Sequence, residues 1–554
     1  MSHFAIYCAA IFSFLAVTPQ ITGGEPPTAH WPLQGDARDS GKFELHAENQ
    51  GVTFARVESR SAAARFDGRG AELRIPASPH LSLGRDDFTL AMWIHTSAEL
   101  DDDLGDVLSQ YESMSRTGFH LGLRNNTGVT HSLANTRQLQ FGIDAGSEPR
   151  FRDEGRPGNS VYGHSLVAHA GNLYVGTCEP GAGQAGHVYR YLGPGEWLDL
   201  GSPDRCNSIT AMASFQGRLY AGSGKYRLGG SALPESENTR LGGRVFRLEA
   251  NDHWTEVAHF PDMEAVGGMV EFRDKLYVSS LYKPAAFHCC DSQHQWTRLE
   301  VPNGKRVEAL AVHNGYLWAT GYDEAHVYRY DGQDWVDLGR VGEEENTQTY
   351  AFATYQGSLL VSTWRTGKVF ELSPPSRWID RGRLGSELEV MGMLVHNGKL
   401  YAGTLPSGEI HRLDGQATWT ALKQLDSTPD TKYRRVWTMA QFQGRLFATT
   451  LPSGKIWSMS AGACITWDQP FPGGWHHLAA QRSGKTLRLF VDGRSVAESS
   501  FDDLTSYDLT QPAPFRIGAG SGDSLHGALA DVRVYRRALD TAEIEALAKS
   551  DHKP

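Results

Sequence analysis

The 554-residue sequence predicts an all-β protein in which a seven-bladed β-propeller interrupts a two-sheet sandwich. Three observations carry this prediction. A pattern recurs seven times between residues 173 and 447, a segment ahead of these repeats matches the end of a repeat, and alternating apolar strands flank the repeats on both sides.

Each repeat contains an apolar run, a turn, a Leu that an aromatic residue usually follows, and a group of small residues. Within residues 307–339, four short alternating runs are separated by turns such as Asn314-Gly315 and Asp331-Gly332, which predict β-hairpins. A period of about 40 to 50 residues with four strands per unit is typical of a propeller blade, and no helical period of 3.6 is present. The seven anchor residues are Leu173, Leu219, Leu276, Leu317, Leu359, Leu400 and Leu446.

The segment at Phe151 is expected to complete the last blade. Six repeats end in a strand that begins with Trp, whereas the seventh, after residues 455–459, has no clear copy of this strand. Residues 151–156 reproduce the pattern of residues 335–340 and 378–383. Closure of the ring would hide strand edges that otherwise recruit other chains, and it would place the start and end of the propeller side by side.

The two flanks look like two halves of one β-domain. Residues 88–94 alternate on the N-terminal side, and residues 475–479, 487–493 and 531–539 form apolar runs on the C-terminal side. Neither flank contains enough strands alone. We therefore predict one sandwich made of residues 30–147 and 463–550, with the propeller inserted as residues 148–462; two independent domains in tandem are the alternative.

These flanking motifs resemble the laminin-G-like, concanavalin A-like jelly roll in the form that ends in a short helix. Here the helix would start after Asp540, with Glu543 completing a capping box. The propeller repeats are similar to kelch-type repeats but lack their Gly-Gly signature. The resemblance implies binding of glycans or proteins and, often, calcium at a sandwich edge. Asp36, Asp39 and Asp531 occupy positions that resemble such a calcium site, although solvated turns explain Asp36 and Asp39 equally well.

Composition and the N-terminus bear on location and partners. The net charge of −11 argues against nucleic acid or an anionic membrane surface as partner. Residues 4–17 are apolar and precede Thr18-Pro19-Gln20, which predicts a secretory signal peptide over residues 1–24 that is too short to span a bilayer. It departs from the usual pattern because its start contains His3 but no Lys or Arg. With no later transmembrane segment, a secreted, periplasmic or cell-surface location is expected.

Five cysteines follow the predicted signal peptide. Cys178 and Cys206 fall in loops expected on the same propeller face, so a disulfide between them is one expectation in an oxidising compartment, and two unpaired buried thiols are the other. Cys289 and Cys290 are expected to pack within a strand. No Cys or His spacing indicates a zinc site.

The propeller face with the loops between second and third strands is the expected ligand site, because these loops are free of packing duties. An aromatic platform and a carboxylate there would suit a sugar; the alternative is that these side chains plug the channel. A long excursion at residues 224–238 is either a lid or a tolerated insertion. The candidate ligand-binding residues are His164, Lys225, Tyr226, Arg306, Glu308, Gln348, Tyr350, Glu389, Arg435 and Trp437.

The sequence favours a non-catalytic protein, because nucleophile, metalloprotease, phosphate-loop and sialidase motifs are absent. It predicts an exported recognition or adhesion protein that binds glycans or surface proteins through the jelly roll and a propeller face. One alternative is a polysaccharide-active enzyme with Glu308 and either Glu389 or Glu264 as paired carboxylates at the propeller mouth. The other is a structural scaffold in an envelope complex.

Overall fold

The computed structural model describes residues 25–58, 60–128 and 134–550. Within these ranges the chain forms β-strands, three short 3₁₀ turns and one α-helix, so the all-β prediction is confirmed. The predicted signal peptide, residues 1–24, lies outside the described residues.

In the described ranges, nine strands precede the propeller and six follow it. The N-terminal strands are β1 (Ala29–Trp31), β2 (Glu48–Gln50), β3 (Thr53–Val57), β4 (Arg60–Asp67), β5 (Glu72–Ile75), β6 (Phe88–Thr96), β7 (Gly105–Glu112), β8 (Thr117–Arg124) and β9 (Gln138–Ala145). The C-terminal elements are β38 (Ala463–Pro470), β39 (Gly474–Ser483), β40 (Thr486–Val491), β41 (Arg494–Ser500), β42 (Phe515–Ile517), β43 (His526–Tyr535) and the helix α1 (Thr541–Lys549).

Strands from both ends of the chain share two antiparallel sheets. The outer sheet has the order β3-β4-β43-β6-β39-β40-β41, with β1 also paired to β43. The docking sheet, named for its contact with the propeller, has the order β2-β5-β42-β7-β8-β9-β38. In the outer sheet β6 lies between two C-terminal strands, with Met92 opposite Leu478 and Ile94 opposite Leu529. In this sheet β6 therefore has no neighbour from its own end of the chain.

One apolar core lies between the two sheets. Leu90, Met92 and Ile94 alternate along β6 into this core, as the period of two requires, and Phe119 and Phe141 enter it from the docking sheet. All five side chains are fully buried. Burying a side chain of this size stabilises a fold by about 1.5–3 kcal/mol, which explains why the flanks remain together despite the long insertion between them.

Helix α1 has the capping box that its sequence predicts. The Asp540 side chain accepts a hydrogen bond from the Glu543 backbone at 2.8 Å, and the Glu543 carboxylate accepts one from the Asp540 backbone at 2.9 Å. Ile544 and Leu547 pack with Phe490 under the outer sheet. The helix therefore covers the face of the outer sheet that points away from the core.

The middle of the chain forms seven four-stranded antiparallel units. Blade 7 consists of three strands between residues 435 and 460 and, at its outer edge, the strand of residues 150–153. Single residue pairs, Cys178 with Ser208 and Trp364 with Glu389, link blade 1 to blade 2 and blade 5 to blade 6. The strands are β10 (Arg150–Asp153); blade 1, β11 (Tyr162–His169), β12 (Asn172–Cys178), β13 (Val188–Gly193), β14 (Glu196–Asp199); blade 2, β15 (Ser208–Phe215), β16 (Arg218–Gly224), β17 (Arg244–Leu248), β18 (Trp254–His259); blade 3, β19 (Val266–Phe272), β20 (Lys275–Ser280), β21 (Phe287–Cys290), β22 (Trp296–Leu299); blade 4, β23 (Val307–His313), β24 (Tyr316–Gly321), β25 (His326–Tyr330), β26 (Trp335–Arg340); blade 5, β27 (Gln348–Tyr355), β28 (Ser358–Trp364), β29 (Lys368–Ser373), β30 (Arg377–Arg383); blade 6, β31 (Glu389–His396), β32 (Lys399–Leu405), β33 (Glu409–Leu413), β34 (Trp419–Gln424); and blade 7, β35 (Arg435–Phe442), β36 (Arg445–Leu451), β37 (Ile456–Ser460).

The first strands of the seven blades pack around a closed ring, which gives a propeller-like architecture. Their small residues are explained by this crowding. A Cβ atom added to Gly268 would lie 2.2 Å from the carbonyl oxygen of Glu308 in the next blade, and one added to Gly392 would lie 2.5 Å from that of Trp437. Side chains at these positions would push neighbouring blades apart.

The ring is completed by the segment ahead of the repeats. Strand β10 pairs antiparallel with β37, with Phe151 opposite Met459, and Lys455 forms a 2.6 Å ion pair with Asp153. The Trp residues that begin the outer strands link neighbouring blades. The Trp197 indole donates to the carbonyl of Glu154 at 2.9 Å, and Trp335 donates to that of Glu300 at 3.0 Å. The recurrence of Trp thus has a structural cause.

Candidate functional site

The propeller contacts the docking sheet through the two-residue turns between the first and second strands of its blades. Asn314 and Gly315 have φ angles of 54° and 77°, the type I′ geometry expected for an Asn-Gly hairpin. The Gly315 amide donates to Asp102 Oδ2 at 3.1 Å, and the Gly444 amide donates to Thr466 Oγ1 at 2.9 Å. The turns that close the hairpins therefore also position the propeller on the sandwich.

This contact buries polar side chains of the docking sheet. Gln138 and Gln140 are 2% and 1% exposed. Gln441 of the propeller donates to Gln140 Oε1 at 2.7 Å, and Gln138 donates to the carbonyl of Gln441 at 3.0 Å. Because an unpaired buried amide would cost about 1–3 kcal/mol, these pairs fix the register between the two units.

One end of the same sheet face remains open as a cavity of about 530 Å³, named the seam cavity. It lies between strands β5, β7, β8 and β42 of the docking sheet and the propeller turn at Gln356. Its volume is in the range of small-molecule sites. Its principal polar side chains are Glu72, Arg74, Tyr111, His120, Gln356 and Arg516.

The seam cavity contains a held carboxylate and two guanidinium groups. Arg516 Nε donates to Glu72 Oε2 at 2.5 Å, and the Glu72 side chain is only 9% exposed. Arg74 lies directly opposite Arg516 in the strand pair, and its side chain is exposed. Arginine presents a rigid fork of donors, so this wall can bind pairs of hydroxyl or carboxylate oxygens.

Tyr111 and His120 form a second wall of the seam cavity. Their rings lie 4.2 Å apart, and His120 Nδ1 lies 3.1 Å from Ser521 Oγ. Burial, reinforced by Arg124, lowers the pKa of His120 to about 3, so the imidazole is neutral at physiological pH. Tyr111 Oη and His120 Nε2 are buried without a hydrogen-bond partner in the described part of the protein. This wall therefore supplies an aromatic surface, whereas these two polar atoms are closed off from the cavity.

A second, more open groove lies among the loops of blades 1 and 2. It has a volume of about 1110 Å³ and includes Glu179, His187 and Asp199. Its polar groups bind one another: His187 Nδ1 lies 2.8 Å from Asp199 Oδ1, and the Tyr189 hydroxyl donates to Glu179 Oε1 at 3.0 Å. Because these groups already bind one another, few of their hydrogen-bond donors and acceptors remain for a ligand.

A group that can hold a metal lies where blade 4 meets the docking sheet. Asp102, His313 and Asp523 are buried, and each offers one ligand atom within 4.8 Å of the others. Burial lowers the pKa of His313, but Asp523, Asp102 and Asp103 outweigh it and raise the value above its usual range. Burial also raises the pKa of Asp102.

The predicted calcium residues are arranged differently from the expectation. Asp531 Oδ1 lies 2.6 Å from His30 Nε2 and accepts from Arg533 at 2.9 Å. Asp39 accepts hydrogen bonds from three backbone amides, and the Asp36 side chain is 65% exposed. In the described part of the chain the three are not grouped as a metal-capable set, and protein donors already bind Asp39 and Asp531. Calcium at these residues stays a prediction.

The predicted ligand ring at the propeller mouth is brought together but buried. Arg435 lies 6.0 Å from the Trp437 ring and 3.4 Å from the Tyr226 hydroxyl, and Trp437 Nε1 donates to the carbonyl of His164 at 3.0 Å. Tyr350 donates to Gln348. The side chains of His164, Tyr226, Arg306, Glu308, Tyr350, Glu389, Arg435 and Trp437 are all at most 9% exposed. These side chains are therefore buried and contact one another, and ligand binding by the ring stays a prediction.

The long excursion of blade 2 covers this mouth. Tyr226 and Leu228 are buried, and the Tyr226 backbone exchanges two hydrogen bonds with the Asn207 side chain, at 2.7 and 2.9 Å. Lys225 is half-buried beside this contact. The Arg227 guanidinium binds Glu264 at 2.7 Å. Residues 224–243 therefore form a built cap rather than a loose insertion.

Two carboxyl groups lie beneath the cap. Burial raises the pKa of Glu308 to about 8; Arg306 opposes the rise, and Glu389 and Asp323 add to it. Burial also raises the pKa of Glu389 to about 7, and Arg435 opposes this rise. A carboxyl whose pKa is higher in the folded state stabilises the fold below its unfolded pKa, and this contribution is lost as the pH rises through the folded value.

Between about pH 5 and about pH 8 we expect the parent to lose stability as Glu308 ionises, and Glu308→Gln to remove much of this loss. At pH 9 the variant should be more stable than the parent by a few kcal/mol, since each pKa unit corresponds to about 1.4 kcal/mol. Urea unfolding at a series of pH values measures this. The control Glu300→Gln, at an exposed position, should follow the parent; a Glu308→Gln curve that also follows it would contradict the assignment.

The predicted disulfide between Cys178 and Cys206 is absent, and both are free buried thiols. Cys206 Sγ donates to the carbonyl of Ser208 at 3.1 Å. Burial raises the pKa of Cys206 to about 12, with Asp204 adding to the effect, so the thiol stays protonated and unreactive. The two sulfurs pack in the propeller as small apolar groups.

Sequence reasoning missed the seam between the two units. The run Asp101-Asp102-Asp103 and the position of His313 beside the Asn314-Gly315 turn were the available signals. Neither signal predicts a metal site, since Asp102, His313 and Asp523 lie more than 200 residues apart along the chain.

Comparison with protein families finds one match. A model described as the concanavalin A-like lectin/glucanases superfamily matches residues 403–545. The matched segment begins in β32 of the propeller and includes the C-terminal strands of the sandwich. No curated protein matches the chain. The resemblance of the repeats to kelch units stays a prediction.

Solved structures similar to this chain align over 56% of it. They include a streptogramin B lyase (9% identity, 97% of that chain, TM-score 0.44) and the virginiamycin B lyase of Staphylococcus aureus with quinupristin (12%, 99%, 0.42). An extracellular domain assigned to a hybrid two component system of B. thetaiotaomicron aligns over 39% of its length, with 11% identity and a TM-score of 0.41. These likenesses carry no argument about function. In the described ranges, no helix has the length and apolar composition needed to cross a bilayer.

Proposed function

We propose that this chain is a carbohydrate-binding recognition protein whose ligand occupies the seam cavity. The observation that carries the proposal is an open, polar cavity of about 530 Å³ on a part of the docking-sheet face that the propeller leaves uncovered. The family match to lectins and glucanases supports the same chemistry. Export, which depends on residues 1–24, is part of the proposal and makes an extracellular glycan the expected ligand.

We further propose that residues 30–147 and 463–550 are one domain and residues 148–462 another, inserted into it. The pairing of β6 with both β39 and β43 supports this division. So does the pairing of β9 with β38, which holds the last strand before the propeller beside the first strand after it. The insertion creates the seam, because it holds the propeller turns against the sheet.

The lining of the seam cavity suits a sugar. The Arg74 and Arg516 guanidinium groups can donate to vicinal hydroxyls, and Glu72 can accept from a hydroxyl while it remains held by Arg516. Tyr111 offers an aromatic surface for the apolar face of a sugar ring. Glu112, which also lines the cavity, accepts from the Met114 amide at 3.0 Å. Both carboxylates are thus engaged, which supports binding rather than hydrolysis.

Binding is tested with a panel of purified polysaccharides and oligosaccharides, followed by calorimetry on any ligand found. We expect Arg516→Ala and Arg74→Ala each to weaken binding by about 10- to 100-fold, since hydrogen bonds to charged groups contribute about 1.5–3 kcal/mol. The control Arg488→Ala removes a comparable surface pair with Glu498 on the outer sheet and should bind as the parent does. Unchanged affinity in both cavity variants, or no ligand in the panel, would count against the proposal.

A second candidate function is hydrolysis at the propeller mouth. It is favoured by one observation, the pair of buried carboxyls whose pKa values, about 8 for Glu308 and about 7 for Glu389, are near those of catalytic acids. Substrate access would require the cap of residues 224–243 to open. The same glycans test hydrolysis. Release of reducing ends by the parent, and none by Glu389→Gln, would support this function. No release from any glycan of the panel would count against it.

A further inference from the structure

We infer that Asp102, His313 and Asp523 bind a divalent ion of the Zn²⁺ class, and that this ion ties the sandwich to the propeller. Asp102 precedes β7 and Asp523 precedes β43, both in the sandwich, whereas His313 ends β23 of blade 4. The ion would therefore be shared by two units. This site is distinct from the seam cavity and does not depend on the proposed glycan binding.

The three side chains lie close together, and one pair of their ligand atoms has the separation that a small ion requires. Their ligand atoms lie within 4.8 Å of one another, and His313 Nδ1 is 3.2 Å from Asp523 Oδ2. Two ligands of a tetrahedral Zn²⁺ with bonds near 2.0–2.1 Å are about 3.3 Å apart. The His313 side chain is only 6% exposed, and no hydrogen bond of normal geometry satisfies Nδ1 within the described residues. This nitrogen therefore lies beside the Asp523 carboxylate without a hydrogen bond to it, and its lone pair remains for an ion.

The local charge also calls for a cation. Asp102, Asp103, Asp106 and Asp523 are all less than 10% exposed. The nearby guanidinium of Arg124 is held by Asp106 at 2.5 Å. Four buried carboxyls thus face two basic groups, Arg124 and His313. Buried charges are normally paired or coordinate metals, and a dication would neutralise this excess.

The surrounding hydrogen bonds orient the ligands. The Gly315 amide donates to Asp102 Oδ2 at 3.1 Å and the Ser524 amide to Asp523 Oδ1 at 2.8 Å, which leaves Asp523 Oδ2 for the ion. His313 Nε2 lies 2.8 Å from the Asn314 amide group. With the ion on Nδ1, the ring proton is on Nε2. This N–H then donates a hydrogen bond to Asn314 Oδ1, which requires a flip of the Asn314 side-chain amide. Such outer contacts fix ligand orientation in metal sites.

The donor set selects the class of ion. One imidazole and two carboxylates suit Zn²⁺ and its neighbours in the first transition row, whereas Ca²⁺ and Mg²⁺ prefer sites made of oxygen ligands alone. Three protein ligands leave a fourth tetrahedral position, which water or a second carboxylate can fill.

The test uses the full chain, freed of metal by dialysis against a chelator and then titrated with Zn²⁺. We expect about one Zn²⁺ per chain by calorimetry and metal analysis, and a higher melting temperature with Zn²⁺ than with chelator, because an ion that binds only the folded state stabilises it. His313→Gln and Asp523→Asn should lose both the bound ion and the shift. The matched control His253→Gln, at an exposed position, should retain both.

Circular dichroism in the near ultraviolet checks that each variant is folded, and Asp102→Asn replaces any variant that is not. Three results would overturn the inference: no stoichiometric Zn²⁺ in the parent, retention of the ion by the folded ligand variants, or a melting shift that is equal in parent and variants. Preference for Ca²⁺ over Zn²⁺ in the parent would also overturn the assigned ion class.

Discussion

Replacing Arg124 with Met is expected to lower the free energy of unfolding of the sandwich by about 3–5 kcal/mol, because it leaves a buried carboxylate without its partner. Arg124 Nη2 donates to Asp106 Oδ1 at 2.5 Å, and the two side chains are 2% and 0% exposed. Burial already raises the pKa of Asp106, which Arg124 opposes. Urea unfolding followed by circular dichroism measures the loss.

The control for this prediction is Arg298→Met. Arg298 and Asp262 form a 3.0 Å pair whose side chains are 60% and 38% exposed, so its loss should cost no more than about 1 kcal/mol. The double variant Arg124→Met with Asp106→Leu should recover much of the stability, since it removes the unpaired charge as well. Equal losses in Arg124→Met and Arg298→Met would show that the buried pair has no special weight.

Ending the chain after residue 462 is expected to abolish folding of the sandwich while the propeller still folds. The truncation removes β38 to β43, so that β6 loses both neighbours and the core loses strands from both sheets. The ring of seven blades keeps every strand, including β10 on β37. Calorimetry should therefore show one unfolding transition fewer than for the parent, and limited proteolysis should digest the segment before residue 148 and spare the rest.

Ending the chain after residue 540 provides the matched control, because it removes only α1 and leaves both sheets intact. This variant should keep both transitions, with the sandwich somewhat destabilised by the loss of Ile544 and Leu547. A protease-resistant N-terminal segment in the chain that ends at residue 462 would contradict the shared sandwich and favour two independent domains in tandem.

The repeats and their closure could be predicted because they depend on local patterns. Alternation along residues 307–339 predicts the four strands of blade 4, and Asn314-Gly315 predicts its first turn by its preference for positive φ. The match of residues 151–156 to the ends of other repeats predicts the pairing of Phe151 with β37. The capping box at Asp540 and Glu543 is equally local.

The candidate sites were predicted less well. The ring that includes Glu308, Tyr350 and Trp437 does converge, as the alignment of first strands indicates, but the excursion at Tyr226 folds over it and buries it. Cys178 ends β12 and Cys206 lies in the connection to blade 2, and both thiols remain free. In each case the residues could be placed from the sequence, and their accessibility could not.

The sequence by itself determined the all-β class, the strands of the seven repeats, the segment that closes them and the core-facing positions of the flanks. All of these follow from periods of two residues and from turn preferences that act over a few residues. Only the tertiary structure decided which propeller face meets the docking sheet, and hence the seam cavity and the grouping of Asp102, His313 and Asp523. Those contacts join segments more than 200 residues apart, where shape and buried charge, rather than local pattern, select the neighbours.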